Sequence, residues 1–524
     1  MNLVNMLAER ARQHPARPAL VDTRQGRDRV VSFGELMRRV AAGAHTLQQM
    51  GLRRGQVILV FQPVSIELYE LILSAFHAGL RVMLADPSAG RVFLALCCRR
   101  LMPDAYFGGW KAQCLRLTVP GLWRIGMTIG PGRWFPGVRA WRTDAGSAPI
   151  TGVPDDEPAL FTFTSGSTGA PKAAVRTHGF LLAQHRTLAR ALDFQDGEVD
   201  LVTLPVFVLA NLASGLTSVL AATDLAHPGS PDAAAIRSQC DRHGVTRCTA
   251  SPAFFEGLLE APGGMPPLQK VFTGGAPVYP DLLGRLRQVL PNTTVQSVYG
   301  STEAEPIAHC SAHEGNSESE AITRRGGGLC AGLPVPEIQL KVIAGRWGDP
   351  LGPLTREDFL KLEVPTGQAG EIVVTGEHVL QGYLDGLGDS ESKIRVEGDI
   401  WHRTGDAGWL DHSGQLWLLG RGAERLPMFA AGTGLPTDAL SYPFAVECAM
   451  REAFPQIRMA AISWQGRRLL VVGTPGYPQE SATIRAKAEA FGIAEIRHLD
   501  HLPLDRRHQA KIDYPALRRA LEVR

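Results

Sequence analysis

The sequence predicts an α/β protein: a large N-terminal domain of parallel sheets with flanking helices, then a small α+β C-terminal domain. Three observations predict it. In the first half, short apolar runs suited to strands buried on both faces alternate with helix-periodic segments, the pattern of βαβ units. The later strand runs sit among turns and read as antiparallel. After Gly420-Arg421 the pattern changes again, through the Gly-rich Ala430-Ala431-Gly432-Thr433-Gly434, into a tail with a strand-like run at 469–472. The boundary at that change gives domains 1–420 and 421–524.

Each element follows from local chemistry. Leu3, Met6, Leu7 and Ala11 recur at helical spacing over 2–14, and Pro15 stops the helix. Ser32 with Glu35 three residues on is a capping box that opens the next helix. Gly51 and Gly55 break the chain before an apolar strand at 56–61, a helix at 65–77 and a strand at 82–85. Further buried strands are expected at 160–163, 201–204, 270–273 and 295–298, and antiparallel strands at 371–375 and 416–419. The uncharged stretch 201–223 is interrupted by Pro205, Asn211, Ser214, Thr217 and Ser218, so it reads as a buried wall and not a membrane span.

Composition narrows the function. With 54 Lys+Arg against 52 Asp+Glu the net charge is +2, too balanced for a dedicated nucleic-acid binder. The 44% hydrophobic content is that of a core former. The eight Cys form no CxxC pair, which points to buried thiols of a reducing compartment and not to a zinc site. The first residues lack a basic and then apolar leader, so the cytoplasm is the expected location.

The most informative run is Phe161-Thr162-Phe163-Thr164-Ser165-Gly166-Ser167-Thr168-Gly169-Ala170-Pro171-Lys172. A buried strand leads into small hydroxyl residues and Gly, then Pro-Lys ahead of an expected helix. Gly166 and Gly169 allow the backbone to approach an anion closely. Thr164, Ser165, Ser167 and Thr168 supply hydroxyl donors, and Lys172 supplies charge. The run can hold a polyphosphate, yet it lacks the spacing of a Walker A loop or of a GxGxxG dinucleotide loop.

This run resembles the phosphate loop of the adenylate-forming superfamily, which includes acyl-CoA synthetases, luciferase-like enzymes and nonribosomal adenylation domains. Six further segments are similar to that family's motifs. Gly274-Gly275-Ala276-Pro277 resembles the adenine-side loop, and Tyr299-Gly300-Ser301-Thr302-Glu303 the adenine-stacking and magnesium segment. Thr404-Gly405-Asp406 resembles the ribose motif, and Gly420-Arg421 the start of the hinge. Lys511, in Asp505-Arg506-Arg507-His508-Gln509-Ala510-Lys511-Ile512, matches the catalytic lysine. Gly370-Glu371 through Gly382-Tyr383 matches the strand block before the hinge.

The resemblance implies the adenylate-forming fold, with residues 421–524 as a mobile lid. It implies attack of a carboxylate on the α-phosphate of ATP, giving acyl-AMP and pyrophosphate. In that reading Lys511 neutralises charge in the transition state, with Thr302 and Glu303 at the reacting centre. Glu303 is the Mg²⁺ ligand, with Thr168 a second contact. Asp406 accepts from the ribose hydroxyls, Tyr299 stacks on adenine, and Arg421 touches the ribose and marks the pivot.

The acyl-lining segment reads Pro205-Val206-Phe207-Val208-Leu209-Ala210-Asn211, with no Asp for an α-ammonium. An apolar acid, bound by burial at ~0.8 kcal/mol per CH₂, is therefore expected. Transfer to an acceptor thiol, of CoA or an acyl carrier, is the expected second step, with closure on an internal hydroxyl as the alternative. Acyl-CoA synthetases place lysines where this chain has Ala423 and Pro427. The end 505–512, with Ser392-Lys393-Ile394-Arg395 and His402-Arg403, resembles the β-lactone synthetases of bacterial olefin biosynthesis, which need no CoA. A non-catalytic binder on the same fold is the competing class. The presence of Lys172, Glu303, Asp406 and Lys511 argues against it.

One window remains. Between Asp104 and Asp144 there is no acidic residue, while Lys111, Arg116, Arg124, Arg133, Arg139 and Arg142 occur with Trp110, Trp123, Trp134 and Trp141. Residues 106–142 read either as a lobe whose Trp pack inward or as a peripheral membrane contact.

Overall fold

The computed structural model describes residues 1–86, 89–132, 135–144, 146–165, 171–311, 317–429, 435–436, 438–474, 481–504 and 511–522. The chain divides into two compact units, each contributed by several segments.

The first unit comprises Met1–Ala222, Ser238–Thr249 and Gly382–Asp389. Its seven-stranded sheet runs Arg139–Ala140, Met127–Gly130, Ala105–Gly108, Val57–Phe61, Arg81–Leu84, Pro158–Ser165, Pro171–Thr177. Every neighbour pair is parallel except the last. Val57–Phe61 is buried at all five positions, as its unbroken apolar run requires. The expected N-cap at Ser32 forms, its Oγ accepting from Glu35 N–H at 3.3 Å, and Ser65 Oγ likewise caps the helix Ile66–His77 through Leu68 N–H.

The segment after the candidate phosphate loop departs from expectation. Pro171–Thr177 is a strand, not the start of a helix, and it returns antiparallel to Pro158–Ser165 with Thr164 opposite Lys172 and Ser165 opposite Pro171. Ala173 and Ala174 are both buried, and the helix His178–Ala191 begins only after this strand.

A second group of strands in this unit runs Val199–Val202, Thr217–Leu220, Pro18–Arg24, Arg27–Ser32. The hairpin of the last two turns on Gln25-Gly26, both at positive φ, a two-residue connection the sequence reading did not identify. The uncharged stretch 201–223 resolves into strand, the helix Pro205–Ser214 and strand. Two of its polar residues are tied into an internal network: Asn211 Nδ2 donates to Asp200 Oδ2 at 2.9 Å and to Ser218 Oγ at 3.1 Å, and Thr249 Oγ1 donates to Asp200. Among the described residues no helix is long and apolar enough to cross a membrane.

The second unit comprises Thr223–Arg237, Ala250–Gln381 and Ser390–Arg524. Its main sheet runs Gln339–Ile343, Gly370–Thr375, Asp399–Leu410, Leu416–Arg421, Leu329–Pro334, Ala304–Ser311, Thr294–Ser301, Lys270–Gly274. Only Lys270–Gly274 and Thr294–Ser301 pair parallel within this run; the other neighbours are antiparallel. After Arg421 a smaller body follows, with a three-stranded sheet of Arg458–Trp464, Arg467–Gly473 and Glu495–Leu499. Cores form on both faces of that sheet, one around Val446, Met450 and Leu470, the other around Leu469, Leu517 and Leu521.

Burial in the first unit has a measurable consequence. His77, His178 and His185 are buried, and burial pulls each down to about 4. An unfolded His titrates near about 6.5, so the folded state binds these protons less well. Their contribution is complete above that value and is lost as pH falls from there towards 4. The thermal midpoint is expected to drop between pH 7 and pH 5. His178→Asn keeps an acceptor for Leu3 N–H, which His178 Nδ1 now accepts at 3.3 Å, and should show a shallower drop. Thermal melts across that range check it, and an unchanged slope would reject the assignment.

Candidate functional site

The candidate residues of the second unit converge where Asp399–Leu410 pairs with Leu416–Arg421. Antiparallel register sets Asp406 opposite Arg421, with Arg421 Nη1 3.3 Å from Asp406 Oδ1. The Tyr299 hydroxyl donates to Asp406 Oδ2 at 2.8 Å. Asp406 N–H donates to Thr404 Oγ1 at 3.1 Å, and that hydroxyl donates to Ile372 O at 3.0 Å. Burial first, then the Asp406 charge, pushes the Tyr299 phenol well up, so it is the donor of the pair. The Asp406 charge likewise raises Arg421. Tyr299 was expected as a stacking ring; its hydroxyl also holds the carboxylate.

The ribose-like loop is fixed from behind by residues that the sequence reading gave no role. Arg403 and Glu371 form a buried bidentate pair at 2.8 and 2.7 Å, their side chains 0% and 2% exposed. Arg403 also donates to Asp349 O at 2.7 Å and Arg346 O at 2.6 Å, which brings Trp347 under Gly405. A Cβ at Gly405 would lie 2.9 Å from the Trp347 ring, and φ there is +75°, so only Gly fits. Removing one partner of such a buried pair costs about 3–5 kcal/mol. The Arg-Thr-Gly-Asp run could have signalled this, because an Arg next to a buried strand needs a carboxylate.

Thr302 and Glu303 are the two-residue tip between Thr294–Ser301 and Ala304–Ser311, where Ser301 pairs with Ala304. Gly300 and Ser301 end the first strand, and Ser301 Oγ accepts from Glu303 N–H at 3.2 Å. The segment 376–381 clamps this tip. Leu380 N–H donates to Glu303 O at 2.7 Å, Val379 bridges Ala304, and His378 Nε2 meets Pro306 O at 2.9 Å. Buried Lys393 donates to Leu380 O from the other side. Gly274, which pairs with Val298, would place a Cβ 2.6 Å from Val298 O; Gly275, Ala276 and Pro277 follow it. Among the described residues no group of three or more His, Cys, Asp or Glu gathers as a metal cage. A single carboxylate such as Glu303 still fits Mg²⁺, which takes one or two carboxylates plus substrate phosphates.

In the first unit, Lys172 lies opposite Thr164, its Nζ 5.8 Å from the Tyr383 ring centroid. Gly388 packs on its stem, where a Cβ would be 2.6 Å from Lys172 Cε. The candidates Gly166, Ser167, Thr168 and Gly169 lie outside the described residues, as do the side chains of Thr164 and Ser165. Helix Pro205–Ser214 buries Phe207, Val208 and Ala210, while Asn211 is committed to Asp200 and so is part of the core.

Lys511 is exposed, next to Ile512, which bridges Leu504. The helix after it, Tyr514–Glu522, is tied to the hinge: Arg518 Nη1 donates to Glu424 Oε1 at 3.1 Å, with a second bond to Oε2. Buried Glu447 accepts from Tyr514 Oη at 2.7 Å and Ala461 N–H at 2.9 Å, both on Oε1. Burial pushes this carboxyl up to about 7. Unfolded, it titrates near about 4.3, so its stabilising share is complete below that value and is lost as pH rises towards 7. Glu447→Gln retains the doubly accepting oxygen. It is expected to melt higher than the parent at pH 8 and no higher at pH 4.5, and a constant difference between the two pH values would overturn this.

Comparison with known proteins agrees with this geometry. Residues 7–384 match the family described as AMP-binding enzyme. An olefin beta-lactone synthetase of Xanthomonas campestris pv. campestris is 31% identical, covering 93% of this chain and 90% of its own length. A 4-coumarate–CoA ligase-like protein of Oryza sativa subsp. japonica is 26% identical over 80% of this chain and 74% of its own. The amide bond synthetase McbA of Marinactinospora thermotolerans superposes with a TM-score of 0.78 at 19% identity, covering 99% of each chain, a likeness of fold. The chain belongs to the AMP-binding enzyme family and is an adenylate-forming, acid-activating ligase.

Proposed function

We propose that the chain activates a β-hydroxy carboxylic acid with ATP and closes the acyl adenylate on the substrate's own hydroxyl, releasing a β-lactone. The observation that carries this reading is the likeness to an olefin beta-lactone synthetase along nearly the whole of both chains. The hinge supports it: Gly422-Ala423-Glu424-Arg425-Leu426-Pro427 has no lysine, and Glu424 is paired to Arg518.

The steps balance as follows. The substrate carboxylate attacks the α-phosphorus of ATP and pyrophosphate leaves. The β-hydroxyl oxygen then attacks the acyl carbon, its proton is lost, and AMP departs with the electrons of the acyl–phosphate bond. Asp406 accepts from the ribose hydroxyls, held in place by Tyr299 and Arg421. The loop 164–172 binds the phosphates, and Gly274 to Pro277 border the adenine. Glu303, with Thr168, would hold Mg²⁺, which would supply charge neutralisation on the phosphates. Lys511 enters from the lid 421–524, which turns about Arg421–Glu424, and neutralises charge between carboxylate and polyphosphate. The apolar faces of Val206 and Leu209 fit an alkyl acid.

A second reading, transfer to the thiol of CoA, is favoured by the CoA ligase-like relative. Mass spectrometry of products from ATP and a 3-hydroxy fatty acid separates the two. A neutral product equal to the acid less one water, formed equally with and without CoA, is expected; an acyl-CoA formed only with CoA would replace the lactone reading.

Two substitutions divide ground-state from transition-state roles. Lys511→Ala is expected to lower kcat by about 10²–10³-fold with the KM for ATP within a few-fold. Asp406→Ala is expected to raise that KM by about tenfold or more, since its hydrogen bonds already exist in the bound ground state. Steady-state pyrophosphate release measures both.

A further inference from the structure

The first unit carries an exposed apolar and basic face that adenylation does not use. The helices Arg91–Arg100, Trp110–Arg116 and Pro120–Trp123 form one layer on the seven-stranded sheet. They are seated by Leu94, Cys97, Ala112, Leu115 and Leu122 on Leu59, Met83 and Tyr106. Their outward side is unusual. Of the twelve large hydrophobic residues exposed among the described residues, five fall within 92–123. Val92 is 76% exposed, Trp110 67%, Trp123 62% and Leu117 57%. Chance scatter over the surface would not place both exposed Trp on one layer.

Charge follows the same layer. Arg91, Arg99, Lys111 and Arg124 are exposed there. Between Asp86 and Asp144 the one acidic residue is Asp104, which is exposed and accepts from Val57 N–H at 2.7 Å and Gln56 Nε2 at 2.9 Å. The structure also corrects the broader window 106–142. Trp141 is buried edge-on to Phe107 at 5.6 Å, Arg116 donates to Thr128 at 2.6 Å, and Arg139 donates to Met50 O at 2.9 Å. Arg133 and Trp134 lie outside the described residues.

We propose that this three-helix face docks on an anionic bilayer surface, with Trp110, Leu117, Trp123 and Val92 in the headgroup boundary and the basic residues around them on lipid phosphates. Trp rings favour that boundary, and positive side chains among them attract anionic headgroups. The helices are too short to span, so contact is peripheral. A bilayer fits better than a protein partner because positive charge is spread through the apolar residues, whereas the centre of a protein interface is depleted of charge. Docking does not depend on which acid is activated.

Sedimentation of the full chain with phosphatidylglycerol-containing vesicles, against phosphatidylcholine vesicles, tests this. Binding to the anionic vesicles is expected to be stronger by tenfold or more, on the order of several-fold for each basic residue. Lys111→Glu with Arg124→Glu should abolish that preference, and Trp110→Ser with Trp123→Ser should weaken binding to both vesicle types. Circular dichroism and thermal midpoints check that each variant is folded. Negligible binding to both vesicle types, or folded variants that bind like the parent, would overturn the proposal. So would a parent that is dimeric in solution and becomes monomeric in the Trp variants, which would assign the face to a second copy of the chain.

Discussion

The buried Arg403–Glu371 pair is the constraint on which the loop carrying Asp406 depends. A guanidinium with no exposed surface must have its donors satisfied, and this one is satisfied by one carboxylate and two backbone carbonyls. The bonds join two adjacent strands to the loop carrying Trp347. With Trp347 fixed, Gly405 has room for one conformation, and Asp406 leaves the loop facing Tyr299 and Arg421. A surface ion pair would not have this effect, because water would compete for every bond.

The same strand pairing links nucleotide site and hinge. Arg421 ends the strand opposite Asp406, and the next residue, Gly422, donates to Gly405 O at 2.9 Å. Two residues further, Glu424 reaches Arg518 on the helix that follows Lys511. Residues 421–424 therefore carry the contacts between the loop at Asp406 and the helix Tyr514–Glu522.

The tip carrying Glu303 is held in a different way, by backbone. Leu380, Val379 and His378 meet Glu303, Ala304 and Pro306 of the hairpin, and Lys393 donates to Leu380 O. Main-chain bonds of this kind fix the position of the tip through backbone groups.

The sequence by itself determined the parts governed by local chemistry. The cap at Ser32, the apolar strand expected at 56–61, and the ordered motifs from 164 to 511 are short-range patterns, and they were legible together with the family and acid activation. Tertiary structure decided what depends on distant partners. Whether Pro171–Thr177 is strand or helix turned on pairing with Pro158–Ser165, and no seven-residue propensity settles that. The role of Tyr299 as a donor to Asp406 joins residues 107 apart. Asn211 belongs to the core because Asp200 and Ser218 wait for it. Of the Trp-rich window, sequence gave composition alone; which rings are covered was set by the packing of three helices on a sheet. Burial and pairing are properties of the folded chain, and a linear pattern carries only their average.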